Sequence, residues 1–492
     1  MASDTQDNNT LRKGAFKSFG WSYTEKIATQ FVHFFISIIL ARLLVPEDYG
    51  KLALVNIFTG IMNAITLTGF GSALIQKKDT TDTDFSTTLI FSFGVAAAGY
   101  LLLFFSAPLF SLIMGDDITV YLRVSSLSLL FSSINAVIHA RAIRTLKFHK
   151  LFIASICAVV ISAAVGIYMA YHGFGVWALV AQHLTSALVN TIVSALICNW
   201  KLKPRFSLES IRKIYSFGWK LTVSATINAI YQQLRGLVIG KKYSSTDLAY
   251  YDRGLQYPNL IINNVDNSIA SVLAPVLSKK QDDLPQLKSM VMRGVKTSSV
   301  VLFPLLIGLA VCAEPIVLLM LTEKWLPCVP YLQVLSIALM LKPIQTANLQ
   351  GILALGKSDV YLKIQMIQKT IGIAMIAITI FFFNSPFAVA VGELVSFILF
   401  ACVNTYPNVK YLKYKPIEQI TNILPQLIVS ALMGGLVYLI GILQINTLLL
   451  LTLQIVAGAV FYIGVMYLFK VDAFMYLWKM LLSTLKKFLR KG

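Results

Sequence analysis

The chain has 492 residues, of which 57% are hydrophobic and only 13% are charged, and its mean hydropathy is +0.72. A soluble protein is typically about 45–50% apolar and about 25% charged, so this composition excludes an ordinary globular domain. The formal net charge of +20 would suit nucleic acid. However, the distribution of the cations, described below, indicates a membrane protein and no nucleic-acid partner.

About fourteen hydrophobic segments follow one another along the chain, each long enough to cross the ~30 Å of hydrocarbon in a bilayer. They lie near residues 19–44, 50–75, 85–110, 120–140, 151–171, 174–199, 214–240, 248–276, 294–321, 328–355, 360–383, 386–406, 421–442 and 446–469. The connections between them are short, so none holds an extramembrane catalytic domain. After Lys470, aromatic and aliphatic residues interleave with Lys and Arg, which predicts an amphipathic helix on the inner leaflet.

The charge of the connections alternates. The even-numbered connections and both termini carry about thirty of the 42 Lys and Arg residues, and the odd-numbered connections carry about five. Arg141, Arg144 and Lys150 are examples from the basic side, and Arg42 and Lys324 from the other. The positive-inside rule therefore predicts that both termini face the cytoplasm. A basic rim beside anionic lipid accounts for most of the net charge.

The chain repeats itself at an offset of about 200 residues, as duplicated transporters do. Ser18-Phe19-Gly20-Trp21 recurs as Ser216-Phe217-Gly218-Trp219, and Asn56, Thr59, Asn63 and Thr66 fall on Gln256, Asn259, Asn263 and Asp266. Steps of three and four residues place each set on one helix face. Two repeated halves with matching polar helix faces predict a transporter whose two lobes face each other across a water-filled cavity. The alternative is that the duplication records only how the fold arose.

Polar residues inside the hydrophobic segments supply the candidate binding site. In the seventh segment Lys220, Ser224, Asn228 and Gln232 step by four, and Arg235 follows three residues later. A cation in hydrocarbon costs several kcal/mol, so it is expected to face a cavity, form a pair or snorkel to the interface. A polar and cationic lumen suits an anionic substrate with many hydroxyl groups. The predicted cavity residues are Lys220, Asn228, Gln232, Arg235, Asn63, Gln256, Asn259, Asn263 and Lys342. For any one of them, the alternative is a buried contact between helices or a snorkelling side chain.

Four titratable residues are candidates for coupling transport to an ion gradient: Asp266, Glu25, His33 and Glu393. Intramembrane carboxylates carry protons or Na⁺ in many transporters. Asp266 lies in the middle of the eighth segment and is the strongest of the four. His33 could titrate near physiological pH, but a packed, hydrogen-bonded histidine is the alternative.

Signatures of enzymes and cofactors are missing from the sequence. It contains no GxxxxGK[ST], HExxH or GxSxG motif. The five cysteines form no CxxC pair and mostly lie in hydrophobic segments, where they are typical of small apolar fillers. We therefore expect a protein that is not an enzyme and that holds no catalytic residues, no metal and no cofactor.

Several segments resemble those of a known family. They are Ala41-Arg42-Leu43-Leu44-Val45-Pro46-Glu47-Asp48-Tyr49-Gly50, Gly69–Lys78, Tyr250-Tyr251-Asp252-Arg253, Glu323-Lys324-Trp325 and Leu355-Gly356-Lys357. Their order and spacing, from Gly14 to Tyr414, are similar to those of the Wzx-like O-antigen and exopolysaccharide flippases, close to the colanic acid exporter type. These belong to the multidrug/oligosaccharidyl-lipid/polysaccharide (MOP) superfamily. The family often has an acidic residue at the position of Arg235. The arginine in this chain favours anion binding there over a coupling role that needs an acid.

The resemblance implies an all-α integral membrane protein with two pseudo-symmetric six-helix lobes and two C-terminal helices, as in MATE and MurJ transporters. The expected parts are a cytoplasmic tail (1–18), an N-lobe (19–199), a cytoplasmic linker (200–213), a C-lobe (214–406), helices 13 and 14 (407–470) and an amphipathic cytoplasmic tail (471–492). The expected activity is movement of undecaprenyl-pyrophosphate-linked oligosaccharide across the bacterial inner membrane by alternating access. Partners would be this lipid-linked substrate, membrane lipids, and polysaccharide polymerase and chain-length proteins.

Other functions remain open at this point. A MATE-like drug or cation antiporter would require acidic side chains in its central cavity, whereas the cavity predicted for this chain is net basic. A lipid II flippase of the same superfamily has arginine in its first helix, whereas residues 28–41 contain no Arg or Lys. A membrane polysaccharide polymerase or ligase would need a large outer loop with catalytic residues. The outer connections of this chain are mostly under about a dozen residues, which argues against that function.

Overall fold

The structure is a computed structural model of the chain. It describes residues 29–489 except 78–79, 146, 199–204, 279–280 and 282. All regular secondary structure in these residues is helical. The chain forms two compact units, Met1–Ala249 and Tyr250–Gly492.

In its described residues, the first unit contains eight helices and the start of a ninth. The described part of α1 is Thr29–Leu43. It is followed by α2 (Pro46–Gln76), α3 (Asp82–Met114), α4 (Thr119–Ser125), α5 (Ser128–Arg144), α6 (Phe148–Tyr171), α7 (Val176–Ile197) and α8 (Leu208–Lys242), and α9 (Ser245–Ser278) begins in this unit. Leu40, Val159 and Leu179 are among the buried residues that pack α1, α6 and α7 together. Helix α8 packs along α2.

The second unit contains most of α9 and the remaining helices. These are α10 (Leu284–Val311), α11 (Ala313–Met320), a 3₁₀ helix (Glu323–Cys328), α12 (Val329–Leu339), α13 (Lys342–Ala354), α14 (Ser358–Phe382), α15 (Pro386–Leu412), α16 (Pro416–Gly441), α17 (Thr447–Leu468) and α18 (Asp472–Leu489). Ile262 of α9 packs against Leu302, Leu306 and Leu339, which joins α9 to α10 and α12.

Ten helical segments of the described chain are long and apolar enough to cross a bilayer, so the protein is a multi-pass membrane protein. In the residues that the structure describes, helices also occupy all fourteen segments expected from the sequence. Helix α1 is short in its described part, and α2, α8 and α9 are not among the ten. The count of fourteen crossings therefore stays a prediction.

In the first unit, the ends of the helices meet at two distinct faces. At one face Arg144 donates a 2.9 Å hydrogen bond to the carbonyl of Leu74, and Lys150 donates one of 2.7 Å to that of Ile197. These bonds join the end of α5 to the end of α2 and the start of α6 to the end of α7, next to even-numbered connections. At the other face the rings of Tyr121 and Trp177 lie 5.1 Å apart and join odd-numbered connections. The helices therefore run between a basic face and an opposite face.

The second unit shows the same division. Lys288 forms a 2.6 Å ion pair with Glu418, which joins the starts of α10 and α16. Tyr250 donates a 3.5 Å hydrogen bond to the carbonyl of Lys324, which joins the start of α9 to the 3₁₀ helix. The first contact again joins two even-numbered connections and the second joins two odd-numbered ones, as the charge pattern predicts. We call the face with the even-numbered connections of each unit the basic face.

The fourth and the tenth of the expected membrane segments, one in each unit, are each broken into two helices. Between α4 and α5 the N–H of Leu127 bonds the carbonyl of Val124 at 3.2 Å, and between α12 and α13 the N–H of Leu341 bonds that of Ala338 at 3.5 Å. Both are bonds between residues three apart, which tighten a helix locally. In α13, Pro343 follows the break and has no N–H to continue the ladder.

The boundary between the compact units falls after α8, at Ala249. The N-lobe and C-lobe expected from the sequence meet earlier, at residues 200–213, because the repeat starts again at Ser216. Helix α8 thus begins the second copy of the repeat but packs within the first unit. The lobe boundaries expected from the repeat stay a prediction.

Candidate functional site

Helix α8 carries an uncovered polar face in the first unit. Lys220, Ser224, Asn228 and Gln232 are all exposed. Beside them runs an exposed apolar face formed by Trp219, Val223, Ile227 and Ile230. An apolar face of a membrane helix suits lipid, whereas hydroxyl, amide and ammonium groups left in lipid would be costly. The polar face therefore suits an aqueous environment.

The packing of α8 on α2 depends on small residues. A Cβ atom added at Gly240 would lie 2.5 Å from Cδ2 of Leu54, and one added at Gly236 would lie 3.1 Å from Cδ1 of Ile57. The two helices therefore approach closely through these glycines, as membrane helices commonly do. This contact fixes which side of α8 remains uncovered.

Arg235 is buried, in contrast to the exposed polar residues of α8. Its side chain is 9% exposed, and its guanidinium carbon lies 5.8 Å from the ring centroid of Tyr231. At a helical rise of about 1.5 Å per residue, Lys220 and Arg235 lie roughly 22 Å apart along α8. One pyrophosphate group therefore cannot contact both cations at once.

The polar face expected on α2 is only partly available. Thr59 and Thr66 are buried, and their hydroxyls donate 3.1 Å hydrogen bonds to the carbonyls of Val55 and Met62 in the same helix. Asn56 is exposed. Asn63 is half-buried, and its buried Oδ1 has no hydrogen-bond partner among the described residues. Asn56 and Asn63 are thus the α2 side chains of this set that remain for a ligand.

In the second unit, the predicted polar residues of α9 differ in their surroundings. Gln256 accepts a 2.8 Å hydrogen bond from Arg253, which is buried with its guanidinium carbon 4.8 Å from the ring centroid of Trp325. Asn259 is half-buried and Asn263 is exposed. Gln256 thus also has a structural role, and Asn263 is the most available of the three.

Two residues predicted separately, Asp266 and Lys342, lie near each other. The carboxyl group of Asp266 on α9 lies near the hydroxyl of Thr346 and the ammonium group of Lys342, which are one turn apart on α13. All three side chains are half-buried. A carboxylate, a hydroxyl and an ammonium group together can bind or release a proton or a cation.

Two of the remaining coupling candidates lie on described helices. Glu393 of α15 is 7% exposed and accepts a 2.5 Å hydrogen bond from the hydroxyl of Tyr251. His33 is exposed on α1. Glu25 lies outside the described residues. Among the residues that the structure describes, no three His, Cys, Asp or Glu side chains are arranged to hold a metal ion.

Sequence reasoning did not identify a buried network of amide side chains in the second unit. Asn348 donates a 3.0 Å hydrogen bond to Gln419, and Gln368 donates one of 3.1 Å to Asn404. These four residues are at most 8% exposed and belong to α13–α16. Their polar character in hydrophobic segments was a signal, but their pairing depends on tertiary contacts.

The chain matches the family model described as "Polysaccharide biosynthesis protein" over residues 39–330, more than half of its length. It is 26% identical to the succinoglycan biosynthesis transport protein ExoT of Rhizobium meliloti over 66% of each chain. It is also 22% identical to the lipopolysaccharide biosynthesis protein WzxC of Escherichia coli, over 75% of this chain and 74% of that one.

The fold matches that of a solved lipid II flippase, MurJ, in an inward closed conformation. The TM-score is 0.76 at 15% identity, over 92% of this chain and 99% of the other. The likeness in fold agrees with the many membrane helices and the two-unit architecture described above. With the match to the family model, it follows that this chain is a membrane protein of the polysaccharide biosynthesis protein family.

Proposed function

We propose that this protein moves a lipid-linked oligosaccharide from the inner to the outer leaflet of a bacterial cytoplasmic membrane. The observation that carries the proposal is the uncovered polar face of α8, where Lys220, Ser224, Asn228 and Gln232 occupy successive turns of a helix in a membrane protein. The relatives named as transport or biosynthesis proteins of surface polysaccharides support it. Both termini lie in the cytoplasm, as the basic face suggests.

The pyrophosphate of the substrate binds α8 in two successive positions. Lys220 is exposed and lies nearer the end of α8 at the basic face, so it meets the phosphate first. Arg235, roughly 22 Å further along, meets it later, because a guanidinium group can hold phosphate through two parallel hydrogen bonds.

The sugar hydroxyls bind uncharged polar side chains. Asn228, Gln232 and Asn63 supply amide groups in the first unit, and Asn259 and Asn263 supply them in the second. Amides both donate and accept hydrogen bonds, as hydroxyl groups do, so they suit a sugar of many hydroxyls. The lipid tail stays in the bilayer throughout, and no covalent step is needed.

An ion gradient drives the cycle through Asp266. Its carboxylate lies beside Thr346 and Lys342, and protonation or cation binding there would change the charge of the cluster. Glu393, His33 and Glu25 are further coupling candidates. A polysaccharide polymerase and chain-length proteins act on the product after it reaches the outer leaflet.

The test is mass spectrometry of the polyprenyl-linked oligosaccharides in a deletion strain whose glycosyltransferases are intact. We expect a complete repeat unit to build up on its lipid and surface polymer to disappear, and the intact gene to reverse both. An unchanged lipid-linked pool with normal polymer would contradict the proposal. Greater sensitivity to toxic cations in that strain would then favour a drug antiporter.

A further inference from the structure

A polar cleft lies between α10 and the amphipathic helix α18 in the second unit. It has a volume of about 480 Å³, and its polar lining consists of Ser289, Arg293, Lys296, Thr297, Asp472 and Tyr476. We call it the basic cleft. None of these residues belongs to the candidate transport site.

Within the second unit, the apolar side of helix α18 packs against α17. Ala473 and Phe474 are buried in a cluster with Tyr462 and Met466 of α17. Tyr476 and Met480 follow Ala473 by three and seven residues, so they lie on the same side of α18, further along the helix, where both are exposed. Lys479 is exposed next to Met480. An amphipathic helix with exposed aromatic and apolar residues and a basic side lies along a membrane surface. The basic cleft therefore opens where lipid headgroups are.

The basic cleft has the charge and donors of a phosphate site. Arg293 and Lys296 are three residues apart on α10, so they point to the same side of the helix. Neither forms an ion pair with any residue that the structure describes, and the guanidinium carbon of Arg293 lies 5.6 Å from the ring centroid of Tyr476. The negative charge of Asp472 offsets one of the two positive charges, so the lining of the cleft has a net charge of about +1.

The location of the basic cleft favours the phosphate group of a membrane lipid as its ligand. The first half of α10 belongs to the basic face, because Lys288 pairs with Glu418 at the start of α16. Negative lipids attract cations at the membrane surface, each cation contributing about 1 kcal/mol. The hydroxyls of Ser289 and Thr297 can donate hydrogen bonds to the oxygens of a phosphodiester.

We propose that the basic cleft binds the phosphodiester headgroup of an anionic glycerophospholipid from the leaflet beside the basic face. Arg293 and Lys296 contact the phosphate, Ser289 and Thr297 bond its oxygens, and the acyl chains lie along the exposed apolar side of α18. The lipid thereby joins α18 to α10. The site is independent of the substrate proposed above, so it stands or fails separately from the transport function.

The test is native mass spectrometry of the full-length protein in mild detergent, titrated with phosphatidylglycerol or phosphatidylcholine. We expect phosphatidylglycerol to bind the wild-type protein more tightly, and Arg293→Gln/Lys296→Gln to weaken its binding about thirtyfold, as two lost cation contacts imply. Lys363→Gln/Lys410→Gln is the matched control. It removes two exposed cations of the same unit that lie outside the cleft, and should change binding less than twofold. Equal binding by the two double variants would overturn the proposal.

Two additional measurements distinguish lipid binding from misfolding and from the binding of soluble phosphate. Asp472→Asn removes the acid of the basic cleft and should tighten phosphatidylglycerol binding several-fold, a gain that misfolding does not produce. No gain would count against the site. Inorganic phosphate should fail to displace the lipid at equal concentration. If it displaces the lipid fully, the cleft binds soluble phosphate and the lipid proposal is wrong.

Discussion

The hydroxyl of Tyr251 donates a 2.5 Å hydrogen bond to Oε2 of Glu393, and both residues are almost completely buried. The bond joins the start of α9 to α15. A buried carboxyl group is costly without hydrogen-bond donors, so this contact is important for the stability of the second unit. The ring of Tyr251 also packs edge-on against Tyr331 of α12, with centroids 6.2 Å apart.

Replacing Tyr251 with Phe should therefore destabilise the protein by about 1–3 kcal/mol, because Glu393 loses a donor in a buried site. Thermal unfolding in detergent measures this effect as a lower midpoint. Tyr438→Phe is the matched control, since Tyr438 is 64% exposed in the same unit. Equal midpoints for the two variants would show that the Tyr251 bond contributes nothing.

Arg235→Ala should abolish export of surface polymer without lowering the amount of protein in the membrane. The reason is that the second phosphate position on α8 loses its guanidinium group, and Arg235→Lys should restore only part of the export. Surface polymer is measured alongside membrane protein by immunoblot. Arg212→Ala, at an exposed position near the start of the same helix, is the control. Normal polymer in Arg235→Ala would rule out the role.

The two exposed faces of α8 should differ in their access to water. Asn228 and Ile227 are consecutive and both exposed, but they lie on the polar and the apolar face respectively. In a variant without the five native cysteines, Asn228→Cys should react with a water-soluble maleimide, whereas Ile227→Cys should react at least about tenfold more slowly, because thiolates form poorly in lipid. Similar rates would mean that the polar face does not line an aqueous space.

A single methyl group at Gly50 should disrupt the first unit. A Cβ atom there would lie 2.0 Å from the carbonyl oxygen of Ser245, a backbone atom that cannot move aside. Gly50→Ala should therefore lower the unfolding midpoint or the yield sharply. Gly94→Ala, where no atom lies within 4 Å of the added Cβ, should be neutral or stabilising by up to about 1 kcal/mol. A tolerated Gly50→Ala would show that α2 and α9 can separate there.

The sequence predicted the helical architecture well because hydrophobic length and charge alternation are local properties. The bonds from Arg144 to Leu74 and from Lys150 to Ile197 join connections that the charge pattern had placed on one side. The break between α4 and α5 was not predicted. No proline or glycine marks it, and its tight bonds are formed by ordinary residues such as Leu127 and Val124.

The candidate site was less predictable. Spacing placed Thr59 and Thr66 on the same face as Asn63, but a threonine hydroxyl can bond a carbonyl of its own helix, and both do so. Spacing also placed Arg235 near the exposed stripe of α8, whereas tertiary packing buries it. The proximity of Asp266 and Lys342 depends on contacts between distant helices, which no single-helix pattern contains.

The cations of the basic face, which the positive-inside rule predicts to be cytoplasmic, also contact the ends of neighbouring helices. Helices α2 and α7 end there, with unpaired carbonyls and the negative end of the helix dipole. Arg144 donates to the carbonyl of Leu74 on α2, and Lys150 donates to that of Ile197 on α7. Each of these residues therefore caps the end of a neighbouring helix, in addition to the role in orientation that the charge pattern predicts. Neutralising one of them would weaken the finished bundle even where the helices had inserted in the correct direction.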